Sequence, residues 1–159
     1  GMMPFTFGKE NIQSLINRVV MEMTPLVEAK KIHIEVDTGD EGDIPPLKLD
    51  RERILQALRN LLGNAVKFTP ENGSITIEAG RRDRTVQFSI RDTGPGIPKE
   101  NLETIFEKFH QSPGQAPGSM KGTGLGLAFV KHIITAHGGK VWAQSEPGEG
   151  TVFLFVLPL

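Results

Sequence analysis

The stretch Asn60-Leu61-Leu62-Gly63-Asn64-Ala65-Val66-Lys67-Phe68-Thr69 closes an amphipathic segment that begins at Asp50. Ile54, Leu58, Leu61, Ala65 and Phe68 recur at helical spacing and form one apolar stripe. Asp50 reads as the N-cap, and Pro70 with the turn at Asn72-Gly73 ends the run. Asn60, Asn64 and Lys67 stand at i, i+4 and i+7 of this helix, so they share a second, polar stripe beside the first. An amide oxygen is a hard neutral ligand suited to Mg²⁺, and a lysine stem can reach a phosphate held beside that metal. Spacing alone permits a second reading, the plain solvated face of a surface helix.

On the N-terminal side, Ile12, Leu15, Ile16, Val19, Met23, Leu26 and Val27 predict a helix over Asn11–Lys30, with Pro25 bending it. Ile32, Ile34 and Val36 alternate with His33, Glu35 and Asp37 as in a half-buried strand, and Asp37–Pro46 reads as a polar loop. On the C-terminal side, strands around Ile75, Ile77 and Ala79 and around Val86, Phe88 and Ile90 are joined by a charged turn at Asp83, which predicts a neighbouring pair. A short helix ending at Phe109 follows, with Phe106 and Phe109 as core plugs. Next comes a Gly-, Ser- and Pro-rich stretch over residues 110–121, expected to be mobile. A third long helix starts within Gly122–Leu127, carries Val130, Ile133 and Ile134, and stops at Gly138-Gly139. Two strands, Lys140–Ser145 and Thr151–Leu157, complete the chain. Three amphipathic helices and five or six mostly half-polar strands predict an α/β two-layer sandwich, a mixed, mostly antiparallel sheet covered by helices on one face.

Size and charge narrow the function. The chain has 159 residues, 38% of them hydrophobic, and a formal net charge of −1. That is the scale of one domain, and it carries no broad basic footprint for nucleic acid or an anionic membrane. Cysteine is absent, which removes disulfides, thiolate zinc sites and a cysteine nucleophile. The longest apolar run, Val152–Leu157, is far below the roughly twenty residues of a membrane helix. Gly1 ahead of Met2 reads as the remnant of a cleaved tag, so residues 1–3 are taken as a tail and 4–159 as one domain cut from a longer protein.

Two glycine-rich motifs remain. In Asp92-Thr93-Gly94-Pro95-Gly96-Ile97 a strand ends in a carboxylate able to accept from an exocyclic amine, and the glycines let a ligand approach the backbone; a loop that is merely rich in Gly and Pro has the same composition. In Gly122-Thr123-Gly124-Leu125-Gly126-Leu127 a glycine ladder opens a helix, where free N–H groups and the helix dipole attract anions. It lacks the Lys-Ser/Thr ending of a Walker loop and does not follow the first strand of a βαβ unit. No two of the histidines have metal-ligand spacing; His33 reads as a solvent-side strand residue and His137 as a helix-terminal residue favoured by the dipole.

In this order the segments resemble the nucleotide-binding domain of sensor histidine kinases, within the wider class shared with gyrase, MutL-type repair proteins and ATP-dependent chaperones. Asn60–Thr69 is similar to the N box of that family, Asp92–Ile97 to its first glycine box, Ile105–Phe109 to its F box and Gly122–Leu127 to its second glycine box. The resemblance covers nearly the whole chain and implies the Bergerat fold. It also implies Mg²⁺ on Asn64, a phosphate contact from Lys67, packing of Phe68 at the adenine side and adenine selection by Asp92 supported by Thr151. The glycine boxes, Gly94, Gly96 and Ile97 in the first and Lys121, Gly122, Thr123, Gly124, Leu125, Gly126 and Leu127 around the second, would line the nucleotide under a lid over 110–121.

Hydrolysing relatives place a glutamate base where this chain has Asn60, and a neutral amide takes no proton from water, so phosphoryl transfer is expected rather than hydrolysis. The implied reaction moves the γ-phosphoryl of ATP to a histidine on a separate dimerisation and phosphoacceptor domain, and through it to a response regulator. The implied setting is a cytoplasmic domain of a parent protein whose membrane attachment the sequence leaves open. His110 and Gln111 depart from the aromatic–Arg pair that often follows the F box, which moves that cationic contact to Lys108 or Lys121 or removes it. Thr24-Pro25-Leu26 echoes the end of a phosphoacceptor segment, but Val20 stands where its histidine would fall. The rival readings are an ATPase or serine-directed kinase on the same fold, and a non-catalytic nucleotide sensor.

Overall fold

Asp50 shows how sequence becomes architecture here. Its carboxylate accepts from the Arg53 N–H at 3.1 Å and from the Thr6 N–H at 2.8 Å, so one side chain starts a helix and fastens the N-terminal segment to it. The computed structural model describes residues 4–107 and 121–159, residues 121–125 by their backbone only. Within them are three α-helices, α1 (Ile12–Ala29), α2 (Arg51–Phe68) and α3 (Lys121–Ala136). The strands are β1 (Gly8–Glu10), β2 (His33–Asp37), β3 (Leu47–Leu49), β4 (Ser74–Arg82), β5 (Thr85–Asp92), β6 (Lys140–Ser145) and β7 (Thr151–Pro158). Five strands form a sheet in the order β2-β4-β5-β7-β6, with β2 parallel to β4 and the other pairs antiparallel; β1 and β3 make a separate antiparallel pair.

Strand alternation sends Ile75, Ile77, Val86, Phe88, Ile90, Phe153 and Phe155 to one face, where all are buried. The helices close over that face with Ile12, Leu15, Ile16 and Val19 of α1, Ile54, Leu58, Leu61 and Ala65 of α2, and Val130, Ile133 and Ile134 of α3. This is the predicted two-layer sandwich. α2 lies in the middle, packed against α1 on one side and α3 on the other, so its polar stripe opens toward α3. The β4–β5 hairpin forms as expected, with Asp83 at φ 53°, a left-handed conformation that Asp tolerates better than most residues.

Three expectations need correction. Leu26 is 55% exposed rather than buried: Val19, Met23 and Val27 form the i, i+4, i+8 row that faces inward, and Leu26 lies off it. The helix expected before Phe109 is only a 3₁₀ turn at Lys99–Asn101 followed by turns to residue 107; so short a segment after Pro98 gains too few helical hydrogen bonds to continue. Phe106 is buried against Phe153 as predicted, while Phe109 lies outside the described residues. β1 and β3, three residues each, are additions to the predicted strands, too short to show alternation in the sequence. His137 stands at the C-terminal end of α3 as expected, and its ring adds contacts the sequence does not show. It is buried, its Nε2 accepts from the Asp50 N–H at 2.9 Å, and its Nδ1 faces the Ile133 carbonyl at 2.7 Å. Both contacts are met by the neutral Nδ1–H tautomer.

Candidate nucleotide site

The polar stripe of α2 is held from its far end. The Lys30 ammonium, at the end of α1, donates to the carbonyls of Val66 at 2.8 Å and Lys67 at 3.2 Å, the last free carbonyls of α2. Thr69 adds its own hydroxyl and N–H to the Ala65 carbonyl. Lys67 and Phe68 are therefore carried on a helix end that is capped from outside. The Lys67 Nζ sits 5.6 Å from the Phe68 ring centroid, over its face.

Further up the stripe Asn60 Nδ2 donates to the Gln56 carbonyl at 3.1 Å. Its Oδ1 faces Gly126 of α3 so closely that a Cβ on Gly126 would overlap it. Only glycine permits this approach, and it brings the second glycine motif against the asparagine stripe. Asn64 lies one turn on. Its Nδ2 is buried and, among the described residues, has no hydrogen-bond partner. Such an orphan costs about 1–3 kcal/mol, and the two ends of an amide exchange by a half-turn of its terminal torsion. The position thus fits a ligand acceptor or, with the oxygen turned in, a cation. A single neutral oxygen suits Mg²⁺, which keeps waters and substrate phosphates as its other ligands. Among the described residues no cluster of three His, Cys, Asp or Glu competes for a metal.

Asp92 ends β5 at 5% exposure, beside Thr151 of β7 in direct register. Burial pushes its carboxyl above the usual range; the N–H groups of Gly94, at 2.8 Å, and Thr151 pull the other way by stabilising the anion. A Cβ on Gly94 would come within 2.8 Å of the Phe68 carbonyl, so this loop touches the end of α2. The structure therefore brings Asn60, Phe68, Asp92, Gly94, Thr151 and Gly126 around the α2 stripe.

Three of the predicted residues contribute differently. Leu127 is buried in the core, so its side chain faces no ligand. Ile97 packs partly on the core and its N–H is taken by Ser145 Oγ at 2.7 Å. Gly96, at φ 85°, leaves no room for a side chain, since a Cβ there would lie 2.6 Å from the Glu146 carbonyl. Lys121 to Leu125 form the first turns of α3, their side chains outside the description, as is nearly all of the lid predicted over 110–121. Two contributors escape the sequence reading. Nothing local in sequence couples Lys30 to α2, while Ser145, at a strand end before a glycine turn, carries a usable signal.

Residues 49–159 match the family described as histidine kinase-, DNA gyrase B-, and HSP90-like ATPase. The chain is 46% identical over 127 residues to the adaptive-response sensory kinase SasA of Nostoc sp. strain PCC 7120, covering 79% of this chain and 31% of that protein. It is 39% identical over 160 residues to the sensor histidine kinase WalK of Bacillus subtilis strain 168, covering 97% of this chain and 25% of that protein. It spans about a third or less of these relatives. Among solved structures it superposes on the nucleotide-free catalytic domain of histidine kinase ThkA with a TM-score of 0.84 at 35% identity, covering 97% of this chain and 96% of that one. Full-length ShkA in complex with AMPPNP matches with a TM-score of 0.84 at 34% identity over 99% of this chain and 32% of that chain. A site built on an asparagine stripe, a buried aspartate and two glycine turns, on this sheet and with these relatives, has one family: the chain belongs to the histidine kinase-, DNA gyrase B- and HSP90-like ATPases, as a histidine-kinase ATP-binding catalytic domain.

Proposed function

We propose that this domain binds Mg·ATP along the α2 stripe, facing α3, and transfers the γ-phosphoryl to a histidine on a separate dimerisation and phosphoacceptor domain. The observation that carries the reading is the buried, unpartnered Asn64 Nδ2, on a stripe that meets Gly126 at Asn60 and the Asp92 loop at Phe68. The AMPPNP bound to ShkA supports the nucleotide, and the ThkA complex with response regulator TrrA supports a regulator downstream.

Each residue has a distinct part. Asp92 accepts from the exocyclic amine of adenine and disfavours a carbonyl at that place. Asn64 holds Mg²⁺, which when bound neutralises phosphate charge. Lys67 adds a second positive charge on the phosphates, and the N–H groups that open α3 add dipole stabilisation. Asn60 accepts no proton, and its amide is already committed to Gln56 and to the contact with Gly126, so position 60 offers water no general base. ATP bound to this chain alone stays largely intact, and transfer requires the imidazole that the acceptor domain positions. Since ATP is its substrate, the domain works on the cytoplasmic side of its parent.

The test incubates the chain with γ-labelled ATP, with and without a phosphoacceptor domain from its parent. Acid-labile protein phosphate that appears only with the acceptor is expected. Rapid release of free phosphate by the chain alone would favour the ATPase, and binding without transfer to a competent acceptor the sensor.

A further inference from the structure

Asp92, Thr151 and Ser145 stand in register on three neighbouring strands, β5, β7 and β6, at one end of the sheet. Direct cross-strand partners point to the same face, so the three side chains form a row. The proposed site gives the first two a role toward the ligand and gives Ser145 none. Yet its hydroxyl accepts from the Ile97 N–H at 2.7 Å, donates to the Gly150 carbonyl at 2.7 Å, and lies 3.3 Å from Thr151 Oγ1.

A serine hydroxyl has one proton and two lone pairs. A carbonyl only accepts, so the proton belongs to Gly150; an amide N–H only donates, so Ile97 fills one lone pair. Thr151 must then donate to the other. With its proton spent on Ser145, the Thr151 oxygen offers only lone pairs to anything else. The joint is closed on its other side by Gly148, whose N–H donates to the Pro95 carbonyl at 2.8 Å, and by Gly96, where a Cβ would lie 2.6 Å from the Glu146 carbonyl.

We propose that Ser145 is a positioning and specificity-determining residue for the base end of the site: it locks the loop at residues 94–97 onto the turn at 145–150 and turns Thr151 into an acceptor beside Asp92. The inference rests on reading Asp92 and Thr151 as the base-recognising pair. Two adjacent acceptors favour a purine amino group over a purine carbonyl, so the arrangement selects adenine by repelling guanine as well as by binding adenine. Without Ser145, Thr151 is free to turn and donate to a carbonyl.

The experiment measures ADP and GDP binding to the 159-residue chain by calorimetry, with and without Mg²⁺, for the parent and for Ser145→Ala, Ser145→Thr and Asp92→Ala. Ser145→Ala is expected to weaken ADP about tenfold, equal to about 1.4 kcal/mol, by the same factor in the presence and absence of Mg²⁺. It is also expected to narrow the ADP-over-GDP preference and to expose the Ile97 amide to hydrogen exchange, while Ser145→Thr restores all three. A purely structural serine would leave the ADP-to-GDP ratio alone. Parent-like affinity and ratio in Ser145→Ala, with binding lost in Asp92→Ala, overturn this inference and leave the nucleotide site standing. Unchanged ADP binding in Asp92→Ala overturns both. Should Ser145→Ala not fold, Ser145→Cys, similar in volume and weak in hydrogen bonding, is measured in the same way, and a parent-like ratio there overturns the proposal.

Discussion

Asn64→Ala separates a ligand-holding amide from a structural one, because the two roles move stability in opposite directions. The substitution removes a buried Nδ2 that has no partner among the described residues. Leaving such a donor unmet costs about 1–3 kcal/mol in the ligand-free protein. Alanine also has the better helix propensity, by about half a kcal/mol on the common scales. Against these stand the few contacts of a small polar side chain on a half-buried position, about 1 kcal/mol by the usual burial coefficient. The balance is a gain of about 0.5–2.5 kcal/mol. For a domain of this size, about 2–4 °C per kcal/mol makes Tm higher by roughly 1–10 °C. In the same variant the strengthening of ATP binding by Mg²⁺ should disappear. Thermal melting without ligand and calorimetry with and without Mg²⁺ supply both readings. A Tm that falls by several degrees while the Mg²⁺ response survives would refute the reasoning, because Asn64 would then be a fold-supporting residue.

Further perturbations address the rest of the site. The Asp92 carboxyl is shifted upward by burial, so the folded chain holds its proton more tightly than the unfolded one; the stabilisation belongs to the protonated form, is fully present below about pH 4 and is lost as pH rises through the folded value. Asp92→Asn should therefore melt higher than the parent at neutral pH, the difference should vanish in acid, and ADP binding should be lost; a melting gap independent of pH would contradict this. Lys30→Met leaves the carbonyls of Val66 and Lys67 without their cation, and a fall of about 1–2 kcal/mol in denaturant stability is expected, recovered in Lys30→Arg. Gly126→Ala forces Asn60 Oδ1 aside, and nucleotide affinity should drop at least about tenfold with only a small change in Tm, since the better helix propensity of alanine offsets part of the about 1–3 kcal/mol of overpacking; unchanged affinity would remove Gly126 from the site.

Much of this architecture is legible in the chain itself. The apolar stripes of α1, α2 and α3 and the alternation of β4 and β5 report burial directly, and burial is what a period records. Asn60, Asn64 and Lys67 are legible as one stripe for the same reason. What the sequence does not disclose depends on contacts between distant residues. His137 lies 87 residues from the Asp50 N–H it accepts from, and Lys30 lies 36 residues from the Val66 carbonyl, so no local pattern announces either. Ile97 reads from its composition as part of a ligand loop, and only the distant partner Ser145 shows that its N–H is also used within the fold. Leu127 reads as part of a motif in sequence, yet the helical face on which it falls is set by where the glycines end and packing begins.

Helix α2 is a beam fixed at both ends by side chains that are not its own. At its start, the Asp50 N–H is held by His137 from the end of α3; at its finish, the Val66 and Lys67 carbonyls are held by Lys30 from the end of α1. A beam supported in this way has little freedom to fray, although the termini are where a helix ordinarily opens first. Asn60, Asn64 and Lys67 are spaced along the supported span, so a ligand meets them with their backbone already ordered. The entropic cost of assembling that stripe was met when the chain folded, so the free energy of the ligand's own hydrogen bonds and charge pairs goes into affinity instead of into ordering the helix.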